Sequence, residues 1–202
     1  MKLYYKAGAC SLSPHIALCE AGLPHDLESV DLKTKVMGGG GDYLAVNPKG
    51  YVPALQLDDG QVLTEGPAIV QYIADRAPDR KLAPPAGSLE RYRLQEWLNY
   101  ISTEIHKTFS PLFNPAASAD WKEAAKALLA RRIGFVSEKM GNQPYLMCEQ
   151  FTVADAYLFT CLSWGQYVGV DMGQWPNVAA YLGRVAARPG VQAALKAEGL
   201  MK

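Results

Sequence analysis

The sequence predicts an α/β domain followed by an all-helical one, and three observations predict it. Strand-like and helix-like segments alternate over the first eighty or so residues. A proline-rich stretch without periodicity follows, and everything after Ser88 carries helical periodicity. The 202 residues suffice for one large domain or two small ones.

Lys2 to Tyr5 reads as a short strand, and Gly8 turns the chain into Ser11-Leu12-Ser13-Pro14, where a serine cap and a first-turn proline start a helix. That helix runs through Ile16, Ala17, Leu18 and Ala21 until Gly22 stops it. Leu27 to Val30 reads as a second strand, Gly38 to Gly41 as a mobile loop, and Asn47-Pro48-Lys49-Gly50 as a turn. Ala54 to Leu57 and Gln61 to Thr64 are strands joined through Asp58-Asp59-Gly60, a hairpin signal. Glu65-Gly66-Pro67 then opens a helix whose inner face is Ile69, Tyr72 and Ile73. The order βαβ-ββα implies a small mixed sheet with helices against it, spanning residues 1–77. Residues 78–87, with Pro78, Pro84, Pro85 and Gly87, form the linker. Residues 88–202 form the helical bundle domain, with helices over Leu89 to Phe109, Ala119 to Met140, Thr152 to Tyr167, Val178 to Arg188 and Val191 to Ala197.

Composition excludes several classes of function. Acidic and basic side chains number 20 each, so there is no basic excess for nucleic acid or an anionic membrane. No apolar run approaches the roughly 18 residues of a membrane span, and the first residues lack the apolar stretch of a signal peptide. Cys10, Cys19, Cys148 and Cys161 form no Cys-x-x-Cys pair and no zinc-like spacing with the three histidines, so no metal is expected. A chain of this size needs no disulfides, and a reducing cytoplasm fits best.

Five features bear on chemistry. Cys10 lies between a strand and a helix start, where unpaired amides and the helix dipole favour a thiolate; the plain alternative is a small buried hydrophobe. Cys19 and Cys161 read as core. Val52-Pro53 is either a simple turn or a cis bond whose bend exposes the Val52 N–H and C=O to an antiparallel peptide. Glu65 and Gly66, at a helix N-terminus, suit the ammonium and carboxylate of an α-amino acid, or Glu65 merely meets the helix dipole. Leu94, Trp97, Leu98, Ile101 and Ile105 form a core stripe, whereas Gln95, Asn99, Ser102 and His106 form a second stripe. On a regular helix Asn99 and His106 share a face about 10 Å apart along the axis, with Lys107 adding a donor; a solvated polar face gives the same pattern. Finally, Phe151-Thr152-Val153-Ala154-Asp155 is a capping box before an apolar helix, which makes Thr152 and Asp155 folding determinants. Trp164 and Tyr167 lie farther along that helix, in the core or facing a pocket.

Taken together, Gly8-Ala9-Cys10-Ser11, Asn47-Pro48-Lys49-Gly50-x-Val52-Pro53-Ala54-Leu55, Leu63-Thr64-Glu65-Gly66, Glu96-Trp97-Leu98-Asn99-Tyr100 with Glu104-x-His106-Lys107, and Phe151-Thr152-x-Ala154-Asp155-Ala156-Tyr157 resemble the glutathione S-transferase family, and its bacterial beta class in particular. The resemblance covers nearly the whole chain. It implies a thioredoxin-like first domain that holds glutathione as co-substrate, with no permanently bound cofactor, and a helical domain that receives a hydrophobic electrophile. The Val52 backbone, before a cis Pro53, would pair with the cysteinyl part of glutathione. Glu65 and Gly66 would hold its γ-glutamyl end and Lys35 its glycyl carboxylate. Cys10 would lie beside the glutathione sulfur, with which this class can form a mixed disulfide. Asn99, His106 and Lys107 would approach from the helical domain, and Trp164 would line the electrophile pocket. Homodimers are the family habit.

Two positions depart from the family pattern. Many members have serine where this chain has Gly66, and the acidic residue that a partner subunit often contributes is here Thr103, with Glu104 next to it. Tyr5 and Ser11 lie near the catalytic hydroxyls of other classes. The reading is an enzyme that conjugates glutathione to electrophiles in detoxification, with Cys10 able to add thiol-disulfide, peroxidase or dehalogenase chemistry and His106 to donate a hydrogen bond. The alternative is a non-catalytic interaction or ligand-carrier module, in which the glutathione-holding residues are usually lost.

Overall fold

In the computed structural model, which describes residues 1–201, the chain divides into two units. One comprises Met1–Ala83 and the chain from Ala187 on, and the other Pro84–Ala186. In the first unit, β1 (Lys2–Tyr5), β2 (Asp26–Ser29), β3 (Ala54–Gln56) and β4 (Val62–Thr64) form one sheet in the order β2-β1-β3-β4. Leu3 pairs with Leu27 across the parallel β1–β2 ladder and with Leu55 across the antiparallel β1–β3 ladder. A parallel pair needs a crossover, which α1 (Leu12–Ala21) supplies. Gly60, at φ +86°, lets β3 return tightly as β4, in antiparallel pairing, as the Asp-Gly sequence predicts. This is the thioredoxin-like βαβ-ββα arrangement.

Two local expectations are corrected. Ser11 precedes α1 but does not cap it: at φ −63° and ψ −15° it is already helical, and a capping oxygen requires extended backbone. Its hydroxyl instead donates to the Lys6 carbonyl at 3.2 Å and accepts from the Lys6 amide at 3.1 Å, clamping the β1–α1 turn. In α2 (Gly66–Arg76) the buried face is Ile69, Val70, Ile73 and Ala74; Tyr72 is only half-buried, one position off that stripe.

The last helix, α9 (Pro189–Ala197), groups with the first unit, whereas the sequence reading places residues 88–202 together. Long-range polar pairing accounts for the difference. Arg188 grips Glu20 through two N–H···O bonds of 3.0 and 2.6 Å. The Glu198 carboxylate accepts the Gly8 amide at 2.9 Å and meets His15 Nδ1 at 2.8 Å.

In the second unit α3 (Leu89–Tyr100) is capped by the Ser88 hydroxyl on the Arg91 amide. It continues through a widened π-type segment, Ile101–His106, into α4 (Lys107–Phe113). α5 (Ala119–Met140), α6 (Val153–Ser163), α7 (Gly165–Val168) and α8 (Pro176–Ala186) complete the bundle. α6 is buried almost throughout and its N-terminus is satisfied internally. The Asp155 carboxylate, fully buried, accepts the Thr152 amide and hydroxyl at 2.8 and 3.0 Å and the Leu146 amide at 2.9 Å. The Tyr181 hydroxyl of α8 donates to the Asp155 carbonyl at 3.1 Å. The predicted capping box thus also joins α6 to the preceding loop and to α8.

Burial raises the Asp155 pKa from 3.8 to about 6 despite those donors. The folded value lies above the unfolded one, so its stabilisation is complete below about pH 3.8 and declines as the pH rises through about 6. Asp155→Asn, which turns an N–H toward the Thr152 donors, should cost about 2–3 kcal/mol in urea unfolding at neutral pH. It should also remove this falling component from the stability profile measured between those two pH values.

Candidate active site

In the first unit the β1–α1 turn determines where Cys10 lies. Gly8 adopts φ +71°, a left-handed conformation that its hydrogen-bonded amide requires and that side chains resist. The Ser11 clamp closes the same turn, and Cys10 Sγ then lies 3.1 Å from the Val52 carbonyl oxygen, to which it donates. The Val52–Pro53 bond is cis. The chain before Val52 is anchored at the Tyr51 carbonyl, which accepts both the buried Tyr43 hydroxyl and Asn47 Nδ2 at 2.7 Å. Desolvation pushes the Tyr43 phenol up to about 12, so it remains a donor. Lys35, itself left-handed at φ +61°, donates Nζ to the Gly50 carbonyl at 2.8 Å. Glu65 is exposed and its carboxylate pairs with Lys49 Nζ, which also bonds Thr64 Oγ1 at 2.8 Å. A Cβ at Gly66 would meet only Pro53 Cγ, at 4.0 Å. Cys10, Lys35, Val52, Pro53, Glu65 and Gly66 thus form one chain of neighbours. It passes from Lys35 through Gly50 to Val52 and Cys10, and from Pro53 through Gly66 to Glu65.

In the second unit His106 is set among aromatic rings. Its Nδ1 lies 2.6 Å from the Tyr157 hydroxyl, and the Trp164 ring stands edge-on with centroids 4.9 Å apart. Trp164 in turn packs against Phe109 and Phe113. Burial first, and the neighbouring Lys107 charge second, lower the His106 pKa from 6.5 to about 4, so at neutral pH the imidazole is uncharged.

The face shared by Asn99 and His106 does not form. The Lys107 amide bonds the Ser102 carbonyl, five residues back, and the extra residue in that turn rotates the helix beyond it by about 100° relative to a regular one. Asn99 is consequently exposed, with its carbonyl taken by the Thr103 hydroxyl, while His106 is drawn inward; Lys107 is exposed. Glu104 pairs with Arg132 of α5 at 2.6 Å.

Sequence reasoning missed Lys49, Tyr43 and Tyr157 as parts of these sites. Lys49 stood inside the motif quoted for its turn but carried no mark of its distant partner. Tyr157 stood at the end of the motif quoted for its helix but carried no mark of its partner, 51 residues away.

The family model for the glutathione S-transferase N-terminal domain matches residues 7–76, and that for the C-terminal domain matches residues 100–189. Glutathione S-transferase GstA of Escherichia coli O157:H7 is 51% identical over 200 residues, covering 99% of this chain and all of the relative. A bacterial beta class glutathione S-transferase from Sphingomonas chungbukensis superposes with a TM-score of 0.96 at 50% identity, covering both chains fully. A sphingomonad glutathione S-transferase complexed with glutathione does so with a TM-score of 0.96 at 48% identity, over 99% of this chain and 100% of that one. The chain belongs to the glutathione S-transferase family.

Titration of the His106 ring protons by NMR should give a midpoint near 4, with no inflection between about pH 5.5 and 8. Lys107→Ala should raise that midpoint only modestly, because burial is the larger cause. A midpoint near 6.5 would show the imidazole to be solvated.

Proposed function

We propose that the chain is a glutathione transferase that conjugates the thiol of glutathione to hydrophobic electrophiles. The observation that carries this reading is the placing of Cys10 against the Val52 carbonyl, in one run of neighbours with Glu65, Gly66 and Lys35. The relative named glutathione S-transferase and the glutathione-bound neighbour support it.

Glutathione carries an α-ammonium and α-carboxylate at one end, a thiol in the middle and a glycyl carboxylate at the other. Glu65 takes the ammonium, and the amides at the α2 N-terminus, from Gly66 on, take the α-carboxylate. The Val52 backbone pairs with the cysteinyl residue, and Lys35 leaves the Gly50 carbonyl for the glycyl carboxylate. The Lys49–Glu65 pair is solvent-exposed, so sharing Glu65 with a ligand costs little.

The glutathione thiol loses its proton to solvent and the thiolate attacks an electrophilic carbon. A carbon–sulfur bond forms, and the leaving group departs with the electron pair of its own bond. The protein supplies proximity and donors for the anionic sulfur. Where Tyr157 donates to His106 Nδ1, the single imidazole proton lies on Nε2 and can donate to sulfur or electrophile. Lys107 adds a donor from the helical domain, and Trp164 contributes apolar surface to the electrophile pocket. Cys10 gives a second branch, in which its thiolate attacks a glutathione disulfide and one glutathione thiolate leaves. A cytoplasmic homodimer acting in detoxification completes the reading.

Calorimetric titration of the reduced protein with reduced glutathione tests it. Binding in the micromolar to millimolar range is expected, weakened about 10- to 100-fold in Glu65→Ala. No detectable binding contradicts the proposal. Gly66→Ser, for which the backbone leaves room, should tighten binding about two- to tenfold by adding one donor to the α-carboxylate. Cys10→Ala should keep aryl-halide conjugation and lose disulfide reduction.

A further inference from the structure

His15, Cys19 and His25, none of which the transfer chemistry uses, converge in the first unit. His15 and Cys19 are four residues apart on α1 and share a face. Gly22, left-handed at φ +67°, turns the chain so that His25, just before β2, comes back against them. One ring nitrogen of each histidine and the Cys19 sulfur all lie within 4.8 Å of one another. The two imidazoles meet edge to face with centroids 5.5 Å apart.

In both rings Nδ1 is tied to an oxygen, the kind of outer contact that metal-bound histidines make. His15 Nδ1 lies 2.8 Å from Glu198 Oε1, both side chains being buried, and His25 Nδ1 lies 2.8 Å from the Leu23 carbonyl. Carboxylate and carbonyl only accept, so each Nδ1 donates and Nε2 is the ring nitrogen left to ligate. Glu198 is itself fixed by the Gly8 amide.

Two acidic side chains, Glu20 and Glu198, lie beside the cluster. Arg188 balances Glu20, while Glu198 faces His15. Size fits as well. A tetrahedral ion with metal–ligand bonds of about 2.0–2.3 Å needs ligand atoms roughly 3.3–3.6 Å apart, a closure of about 1 Å. Cys19 and His25, both half-buried, can make that movement, and they provide the way in.

We propose that His15 Nε2, Cys19 Sγ and His25 Nε2 bind one borderline-soft divalent cation of the zinc type, with water as the fourth ligand. Binding releases the Cys19 thiol proton to solvent and changes no oxidation state. The ion ties α1 to the start of β2 and, through His15 and Glu198, to the end of α9, so its role is structural. The His-x3-Cys-x5-His spacing lacks any Cys-x-x-Cys element, which is why the sequence alone suggests no metal.

The test is titration of the reduced, untagged chain with Co²⁺ alone, followed by Zn²⁺. One equivalent of cobalt should give the intense visible bands of a four-coordinate ion and a thiolate-to-cobalt charge-transfer band, both abolished by one equivalent of zinc. Cys19→Ser should lose the charge-transfer band, and His25→Asn should bind zinc at least about tenfold more weakly. Cys148→Ser, at an exposed position, should change neither. Circular dichroism confirms that each variant is folded; if Cys19→Ser is not, His25→Asn decides. Absence of a stoichiometric cobalt spectrum in the wild type, a charge-transfer band that persists in folded Cys19→Ser, or unaltered zinc affinity in His25→Asn would overturn the proposal.

Discussion

The Glu198 carboxylate takes the Gly8 amide on one oxygen and the His15 imidazole on the other, out of contact with solvent. A buried charge is tolerated only when its lone pairs are occupied, and here both partners come from the β1–α1 region almost the length of the chain away. Gly8 is thereby held in its left-handed turn, Ser11 closes that turn on Lys6, and Cys10 meets Val52. The same carboxylate fixes which nitrogen of His15 carries a proton. One polar anchor thus shapes both the proposed thiol site and the proposed cation site, which explains why α9 groups with the sheet.

The groups assigned to glutathione and those that organise the helical unit are held in opposite ways. In the first, the groups assigned to glutathione's ends are held loosely: Glu65 by an exposed lysine, and Lys35 by a backbone carbonyl. Such contacts contribute little to stability, and a charged ligand can replace them. In the second, His106 is kept uncharged by an aromatic surround, and Asp155 is buried among four donor contacts that fix α6. There the Asp155 carboxylate is deep and satisfied, and it organises the bundle.

What the sequence made legible was local. Cys10 at a strand–helix junction, the Asp58-Asp59-Gly60 hairpin, the Glu65-Gly66 helix start and the Thr152–Asp155 box all depend on residues a few positions apart, where backbone geometry is set directly by residue type. What escaped depended on distance or on a break in regularity. The Ser11 hydroxyl turned to Lys6 because its backbone was already helical. A single widened turn separated Asn99 from His106, and nothing in the stripe Gln95, Asn99, Ser102, His106 signals it. His25 reached His15 and Cys19 through the Gly22 turn, a spacing that no search for paired cysteines detects.

In the proposed function, Cys10 lies where a bound glutathione sulfur arrives. The direct measurement is reaction of the reduced protein with limiting oxidised glutathione, with the adduct located by mass spectrometry. A single glutathionyl group is expected on Cys10, formed ahead of the more exposed Cys148. Preferential modification of Cys148, with Cys10 left as a thiol, would contradict it.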